Sequence, residues 1–157
     1  MRKYAIIFDI DDTVADTSHR SNELTKRPLT ASVWKAFYDK MVDDVPIQPM
    51  IEFINAVHNL SNCSHDKIKI IFVTARPEDY REVTENFLRT HLSFDDFELM
   101  MRENNNFESS IDLKKRLFKL IEQKYQVLFA IDDRTRVVNS INSTFKFPCI
   151  QFNKNDF

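Results

Sequence analysis

The chain has 157 residues, 43% of them hydrophobic and 29% charged, with a formal net charge of −2, the balance of an ordinary globular protein with room for a substantial core. So small a charge excludes a broad electrostatic footprint for duplex nucleic acid or an anionic membrane, and no run approaches the roughly 18 uninterrupted apolar residues of a membrane span. Glycine is absent, where ordinary usage would place about eleven, so a Walker-type phosphate loop and a dinucleotide fingerprint are both excluded.

The missing glycine sends any positive-φ position to Asn or Asp, the next most tolerant residues. Asp12, Asn62, Asn104, Asn105, Asn106 and Asn153 are the expected holders. Met1-Arg2-Lys3 runs straight into an apolar strand without a leader and cleavage site. Two cysteines, Cys63 and Cys149, suit a reducing compartment better than a disulfide scaffold. Both features lead us to expect a cytoplasmic (intracellular) protein.

In chain order, apolar β-branched runs predict strands at 4–8, 68–73, 97–101, 127–131 and 149–152. Helical spacing lies between them. Pro49 suits a first helical turn, followed by a stripe of Met50, Phe53, Ile54, Val57 and Leu60. Pro77 opens a second predicted helix with Tyr80, Val83, Phe87 and Leu88 inside. Ser109 or Ser110 caps a third, carrying Leu113, Leu117, Leu120 and Ile121. A short fourth spans 135–141. Strands alternating with helices imply a Rossmann-like α/β fold, a parallel sheet of about five strands with helices on both faces. Ligands then bind beyond the carboxyl ends of the strands. Residues 16–44 form an insertion, helical over 31–41 and too short for an independent domain. We expect a single domain, 1–157, with this insertion as a small helical cap beside the site.

Three predicted strands end in residues suited to phosphate chemistry. The first runs into Phe8-Asp9-Ile10-Asp11-Asp12-Thr13. Residues two apart on a strand share a face, so Asp9 and Asp11 lie side by side unless the chain turns at once, and adjacent carboxylates repel. The second strand ends in Thr74-Ala75-Arg76 and the fourth in Asp132-Asp133-Arg134. Lys114 falls in the first turn of the third helix, where the dipole disfavours a cation unless carboxylates and a bound phosphate attract it. Carboxylates clustered without His or Cys favour a hard ion, Mg²⁺. Asp9 is then the nucleophile, forming an aspartyl-phosphate, and Asp11 protonates the leaving alcohol and later activates water. Thr74 donates to a phosphoryl oxygen, Lys114 neutralises developing charge, and Asp133 with Asp132 completes the metal site. Singly, each residue has a plainer use, as a helix cap, a loop hydroxyl or a solvated lysine, with Lys115 competing for the role of Lys114. Their order and strand-end placement together make coincidence a poor account.

These residues resemble the haloacid dehalogenase-like (HAD) phosphatase superfamily. Its first motif matches Asp9, Asp11 and Thr13, its second Thr74, its third Lys114 and its fourth Asp132-Asp133. The resemblance implies a metal held by the Asp9 carboxylate, the Asp11 backbone carbonyl and one fourth-motif aspartate, Asp133, with Asp132 supporting. Finer likeness lies in Ala15-Asp16-Thr17-Ser18-His19-Arg20, in Asp44-Val45-Pro46-Ile47, in residues 130–138, and in Gln151-Phe152 with Asp156-Phe157. These resemble the 3′-phosphatase domain of phage polynucleotide kinase/phosphatases, which implies 3′-phosphorylated DNA or RNA ends as substrate and a separate kinase or ligase as partner. A similar Asp-Asp-Arg fourth motif occurs in nucleotidases, which keeps free nucleotides and small phosphomonoesters open as substrates, and an inactive module binding phosphorylated ends is a further alternative. Two departures stand out: Asp12 replaces a usual Gly, and Thr74-Ala75-Arg76 replaces Ser-Gly-Arg.

Substrate contacts are expected from Arg76 and Arg20, by bidentate pairing with phosphate, and from Arg134, for which a structural role orienting its neighbouring carboxylates is an equal alternative. Trp34, Phe37, Tyr38 and Met41 form an aromatic stripe on the cap helix, suited to packing it down more than to stacking a base. His65 near Cys63 is weak evidence for a second metal.

Overall fold

A computed structural model describes residues 3–153. Five strands, β1 (Tyr4–Phe8), β4 (Ile68–Pro77), β5 (Phe97–Arg102), β6 (Gln126–Asp132) and β7 (Cys149–Gln151), form one sheet in the order β5-β4-β1-β6-β7. All of its pairings are parallel. The chain grows outward from β1 through β4 to β5, then crosses to the other side of β1 for β6 and β7. The strand order therefore reverses beside β1, and the crevice beyond its carboxyl end is where such a sheet receives ligands.

Period-two alternation builds two cores. Ala5 and Ile7 of β1, with Ile71 and Val73 of β4, pack against Leu113, Leu117, Phe118 and Ile121 of α5 (Ser110–Glu122) and Val137, Val138 and Ile141 of α6 (Thr135–Thr144). Ile6, Phe8, Ile70 and Phe72 face the other way. They meet Met50, Ile51 and Ile54 of α3 (Gln48–Asn62) and Phe87 and Leu88 of α4 (Arg81–His91). Helices on both faces leave the strands no polar side, which is why they read as unbroken apolar runs.

Several helix expectations are corrected. Ile51 is buried in α3, while Phe53 and Leu60 of the predicted stripe are exposed. Leu120 of α5 is likewise exposed and Phe118 takes its place. Pro77 does not open α4. It is the last residue of β4, extended at φ −66° and ψ 150°, and a 3-10 turn over Glu78–Tyr80 precedes the helix. Proline is tolerated there because the position lies beyond the last pairing of β4 with β1 and after the register shift against β5, where no ladder donor is required. β4 reaches Pro77 by way of a register shift after Val73, so Thr74, Ala75 and Arg76 sit in an irregular stretch at the strand's end, where bulges re-aim side chains.

The excursion over 16–44 is closed at its neck by β2 (Ala15–Asp16), antiparallel to β3 (Val45–Pro46). Between them lie α1 (Ser18–Ser21), a 3-10 turn at Asn22–Thr25, α2 (Ala31–Asp39) and a 3-10 turn at Lys40–Asp43. The predicted 31–41 helix thus tightens at Lys40. Phe37 and Met41 are buried, and the Tyr38 ring lies 5.2 Å from that of Tyr80. Tyr80 Oη donates to Asp39 at 3.0 Å. Phe37, Tyr38 and Met41 hold the excursion against the approach to α4, as packing would, whereas Trp34 is exposed and stacks on Tyr38 at 5.8 Å.

Among the described residues, positive φ occurs at Asp12 (60°), Asn105 (60°) and Asn153 (47°). Asn62, Asn104 and Asn106 are not needed for it. Asp156 and Phe157 lie outside the described residues. No helix among those described is long and apolar enough to cross a membrane.

Candidate active site

The first site residues are placed by a tight reversal. Asp9 is still in the ladder, its N–H donating to Ile131 O at 2.9 Å. Ile10 O then accepts from the N–H groups of Thr13, Val14 and Ala15 at 3.2, 2.8 and 2.9 Å, and Asp12 N–H donates to Ala15 O at 2.7 Å. At φ 60°, Asp12 fills the left-handed position where a glycine would ordinarily sit. Its Oδ1 accepts from Thr17 N–H at 3.1 Å and Thr17 Oγ1 at 2.8 Å, bonds that glycine could not make. The other departure, Ala75, is not a positive-φ residue, so its β-carbon is no obstacle.

This reversal corrects the expected juxtaposition. The strand ends at Phe8, and the two carboxylates go to different partners. Asp9 Oδ1 accepts from Lys114 Nζ at 2.7 Å, and Lys114 also pairs with Asp132. Asp11 Oδ1 accepts from Arg20 Nη2 at 2.7 Å and from Arg76 Nη2 and Nε at 2.6 and 3.1 Å. Repulsion between neighbours is relieved by a separate cation set for each.

Lys114 lies in the second turn of α5, not the first, because Ser109 is the N-cap and accepts from Asp112 N–H at 3.1 Å. Its side chain is enclosed, whereas Lys115 is half-buried. Asp9, Asp132 and Asp133 converge, each offering a carboxylate oxygen within 4.8 Å of the others. Asp11's carboxylate is not part of this group, and its Oδ1 pairs with the arginines instead. Thr74 is buried at the end of β4, its Oγ1 accepting from Arg76 N–H at 3.2 Å.

The electrostatics differ accordingly. Burial pushes the Asp9 carboxyl up to about 6 against the pull of Lys114, with Asp132 adding repulsion. Burial, then Asp9 and Asp132, push Asp133 up to about 9. Lys114 is held above its ordinary value because Asp132 and Asp9 outweigh the effect of burial. Burial also penalises the Asp11 carboxylate, but Arg76 and Arg20 outweigh it and hold Asp11 at about 2. Arg134 occupies the N-cap position of α6 without a side-chain capping bond, and Asp9, Asp132 and Asp133 raise it against its burial.

Three buried carboxylates face the Lys114 ammonium and the guanidinium of Arg134, so with all three ionised the cluster carries a net negative charge. An all-oxygen donor set of this kind fits a hard divalent cation such as Mg²⁺.

Arg20 and Arg76 come together, but inside the protein: their side chains are 0% and 1% exposed. Asp44, to which the sequence pointed without a role, pairs with both. No local pattern announces it, because its partners lie 24 and 32 residues away.

A family model for the polynucleotide kinase PNKP phosphatase domain matches residues 3–157. This chain belongs to that HAD phosphatase family. A putative bifunctional polynucleotide kinase/RNA ligase of Autographa californica nuclear polyhedrosis virus is 30% identical to this PNKP-type domain over 135 residues, covering 85% of the chain and 17% of the viral protein. A structure of the Pnkp1/Rnl/Hen1 RNA repair complex superposes with a TM-score of 0.73 at 28% identity, over 99% of this chain and 44% of the other. A second Pnkp1/Rnl/Hen1 structure gives 0.72 at 30% identity, over 99% and 48%. The PNKP-type domain thus spans less than half of each of these relatives. The class C acid phosphatase of Bacillus anthracis shares the fold at a TM-score of 0.68 and 16% identity, over 100% of this chain and 69% of its own.

Proposed function

We propose that this chain is a Mg²⁺-dependent phosphatase that removes terminal 3′-phosphates from nucleic-acid ends through an aspartyl-phosphate. The observation that carries the reading is the division of labour at the β1 end, with Asp9 among Lys114, Asp132 and Asp133 and Asp11 held apart by two arginines. The PNKP family match supports the polynucleotide substrate. The names of the viral relative and of the repair complexes support RNA ends and a kinase or ligase partner.

An Asp9 carboxylate oxygen attacks phosphorus, and the bond from phosphorus to the 3′ oxygen breaks as Asp11 gives that oxygen a proton. Asp11 is a carboxylate at rest, so it takes up this proton from solvent as the negative charge of the bound phosphate raises its affinity for one. Again a carboxylate, Asp11 deprotonates a water that attacks the aspartyl-phosphate, releasing inorganic phosphate and restoring Asp9. Lys114 and Thr74 stabilise the phosphoryl oxygens. Asp9, Asp132, Asp133 and the Asp11 carbonyl are the groups that would hold Mg²⁺, which when bound screens phosphoryl charge from these carboxylates. Arg134, beside the carboxylates, is the remaining basic group for substrate.

The test is phosphate release from 3′-phosphorylated DNA and RNA oligonucleotides and from 3′- and 5′-mononucleotides, with Mg²⁺ and with EDTA. Faster release from oligonucleotides, lost in EDTA, is expected. Preference for mononucleotides makes it a nucleotidase, and no hydrolysis of any phosphomonoester makes it a binding module.

A further inference from the structure

Phe107 is 92% exposed, more than any other large apolar side chain among the described residues. It stands in the loop that joins the carboxyl end of β5 to Ser109, the N-cap of α5. The crevice that receives ligands lies at this end of the sheet. Lone apolar residues on a surface are ordinary. Phe107 differs because the backbone around it is fixed on several sides while its ring is left bare.

Side chains do the fixing. Arg102, the last residue of β5, donates from Nη1 to Asn106 O at 3.3 Å and to Glu108 O at 2.7 Å, the carbonyls of the residues on either side of Phe107. Its Nε donates to Ala75 O at 3.2 Å. One guanidinium therefore ties the neighbours of Phe107 to the residue beside Thr74. Asn105 makes the turn at φ 60°, and Asn106 Oδ1 accepts from Glu108 N–H at 2.9 Å. Asn104 Oδ1 accepts from Asp79 N–H at 3.2 Å, and Asn104 Nδ2 donates to Asp79 Oδ1 at 2.8 Å. Phe107 is thus held between the strand end that carries Thr74 and the helix that carries Lys114.

The excursion brings further aromatic surface to the same rim. The Trp34 ring lies 5.8 Å from that of Tyr38 in a stacked arrangement. Burial raises the Tyr38 phenol and Asp11 adds to the rise, while Arg102, Arg20 and Arg76 oppose it. The anchor of the Phe107 loop, the excursion's ring and Asp11 are therefore within electrostatic reach of one another. Glu103 and Glu108 would repel a phosphodiester chain, but each pairs with Arg116, at 2.7 and 2.6 Å. A bare ring on a fixed backbone beside a phosphate site suits the flat face of a nucleobase, since every base has a π-face and little of the loop is left to order on binding.

We propose that Phe107 is a stacking platform for the nucleobase nearest the 3′-phosphate. On this assignment the loop over residues 103–109 recognises a part of the nucleic acid that the phosphoryl centre does not touch. The proposal rests on the phosphatase reading and deepens it by placing the base.

The test uses two 3′-phosphorylated oligonucleotides that differ only in the last residue, which carries a base in one and is a stable abasic sugar in the other. Wild type in Mg²⁺ is expected to favour the base-bearing end by about 10-fold in kcat/KM, through KM. Phe107→Ala is expected to lose that preference and Phe107→Trp to keep it. So exposed a ring carries little packing, so Phe107→Ala should melt with wild type. A second readout needs no turnover: 2-aminopurine at the 3′ end, whose fluorescence is quenched by stacking, is titrated with Asp9→Asn protein in Mg²⁺. Quenching is expected, and its loss when Phe107→Ala is added. A wild type without the preference, a preference that persists in Phe107→Ala, an equal loss of kcat/KM on both ends, or quenching that is absent or independent of Phe107 overturns the proposal. A wild-type protein inactive on both ends, or an Asp9→Asn protein that retains turnover, defeats the phosphatase reading itself.

Discussion

Lys114 Nζ meets Asp9 Oδ1 at 2.7 Å across 105 residues of chain, and the same ammonium pairs with Asp132. The contact joins the end of β1 to α5 and the end of β6, so the site is also a structural knot. Asp9→Asn is expected to fold and to lose turnover. Lys114→Ala leaves two buried carboxylates without their cation and should destabilise the protein by about 3–5 kcal/mol. Added Mg²⁺ should recover part of that loss by supplying the missing charge. Urea unfolding with EDTA and with Mg²⁺ measures both effects.

The carboxylate cluster imposes a pH dependence whose sign follows from the two raised groups. Asp9 and Asp133 bind protons more tightly folded, at about 6 and about 9, than at their ordinary 3.8. Their contribution is full below about pH 4 and is lost as pH rises through those values. In EDTA the melting temperature should therefore fall from about pH 4 through pH 6 and onward toward pH 9. Asp11, lowered to about 2, acts oppositely and costs stability only as pH drops toward that value. Mg²⁺ should flatten the decline, and Asp133→Asn should remove its upper limb. Thermal melts over this range, with and without Mg²⁺, decide it; a flat profile in EDTA contradicts the assignment.

Asp12 separates two uses of one residue. Asp12→Gly keeps an easy φ of 60° but loses the bonds to Thr17, and Asp12→Ala loses the bonds and places a β-carbon in the left-handed region. The alanine variant should be less stable than the glycine variant by about 1–2 kcal/mol, and wild type should exceed the alanine variant. Urea midpoints at constant slope give the order; equal stability of the two variants rules out the backbone explanation.

Much of this was legible in one dimension because its causes are local. β1 follows directly from the run Tyr4–Phe8. Asp12, Asn105 and Asn153 were among the few residues able to take positive φ in a chain without glycine. Helix details were less legible: the choice of Ile51 over Phe53, or Phe118 over Leu120, depends on which way each helix is rolled against the sheet. Pro77 misled because proline fits a first helical turn and an irregular strand end equally well, and the register shift after Val73 decided between them.

The sequence alone determined the sheet's strands, the order of the motif residues and their arrival at strand ends, since alternation and turn propensity act over a few neighbours. The tertiary structure decided the partners. It turned the chain after Asp9, so that two adjacent carboxylates serve different cations, and it enclosed Arg20 and Arg76 with Asp44. Charge pairing inside a protein depends on distance and on exclusion of water, and neither is a property of positions along a chain.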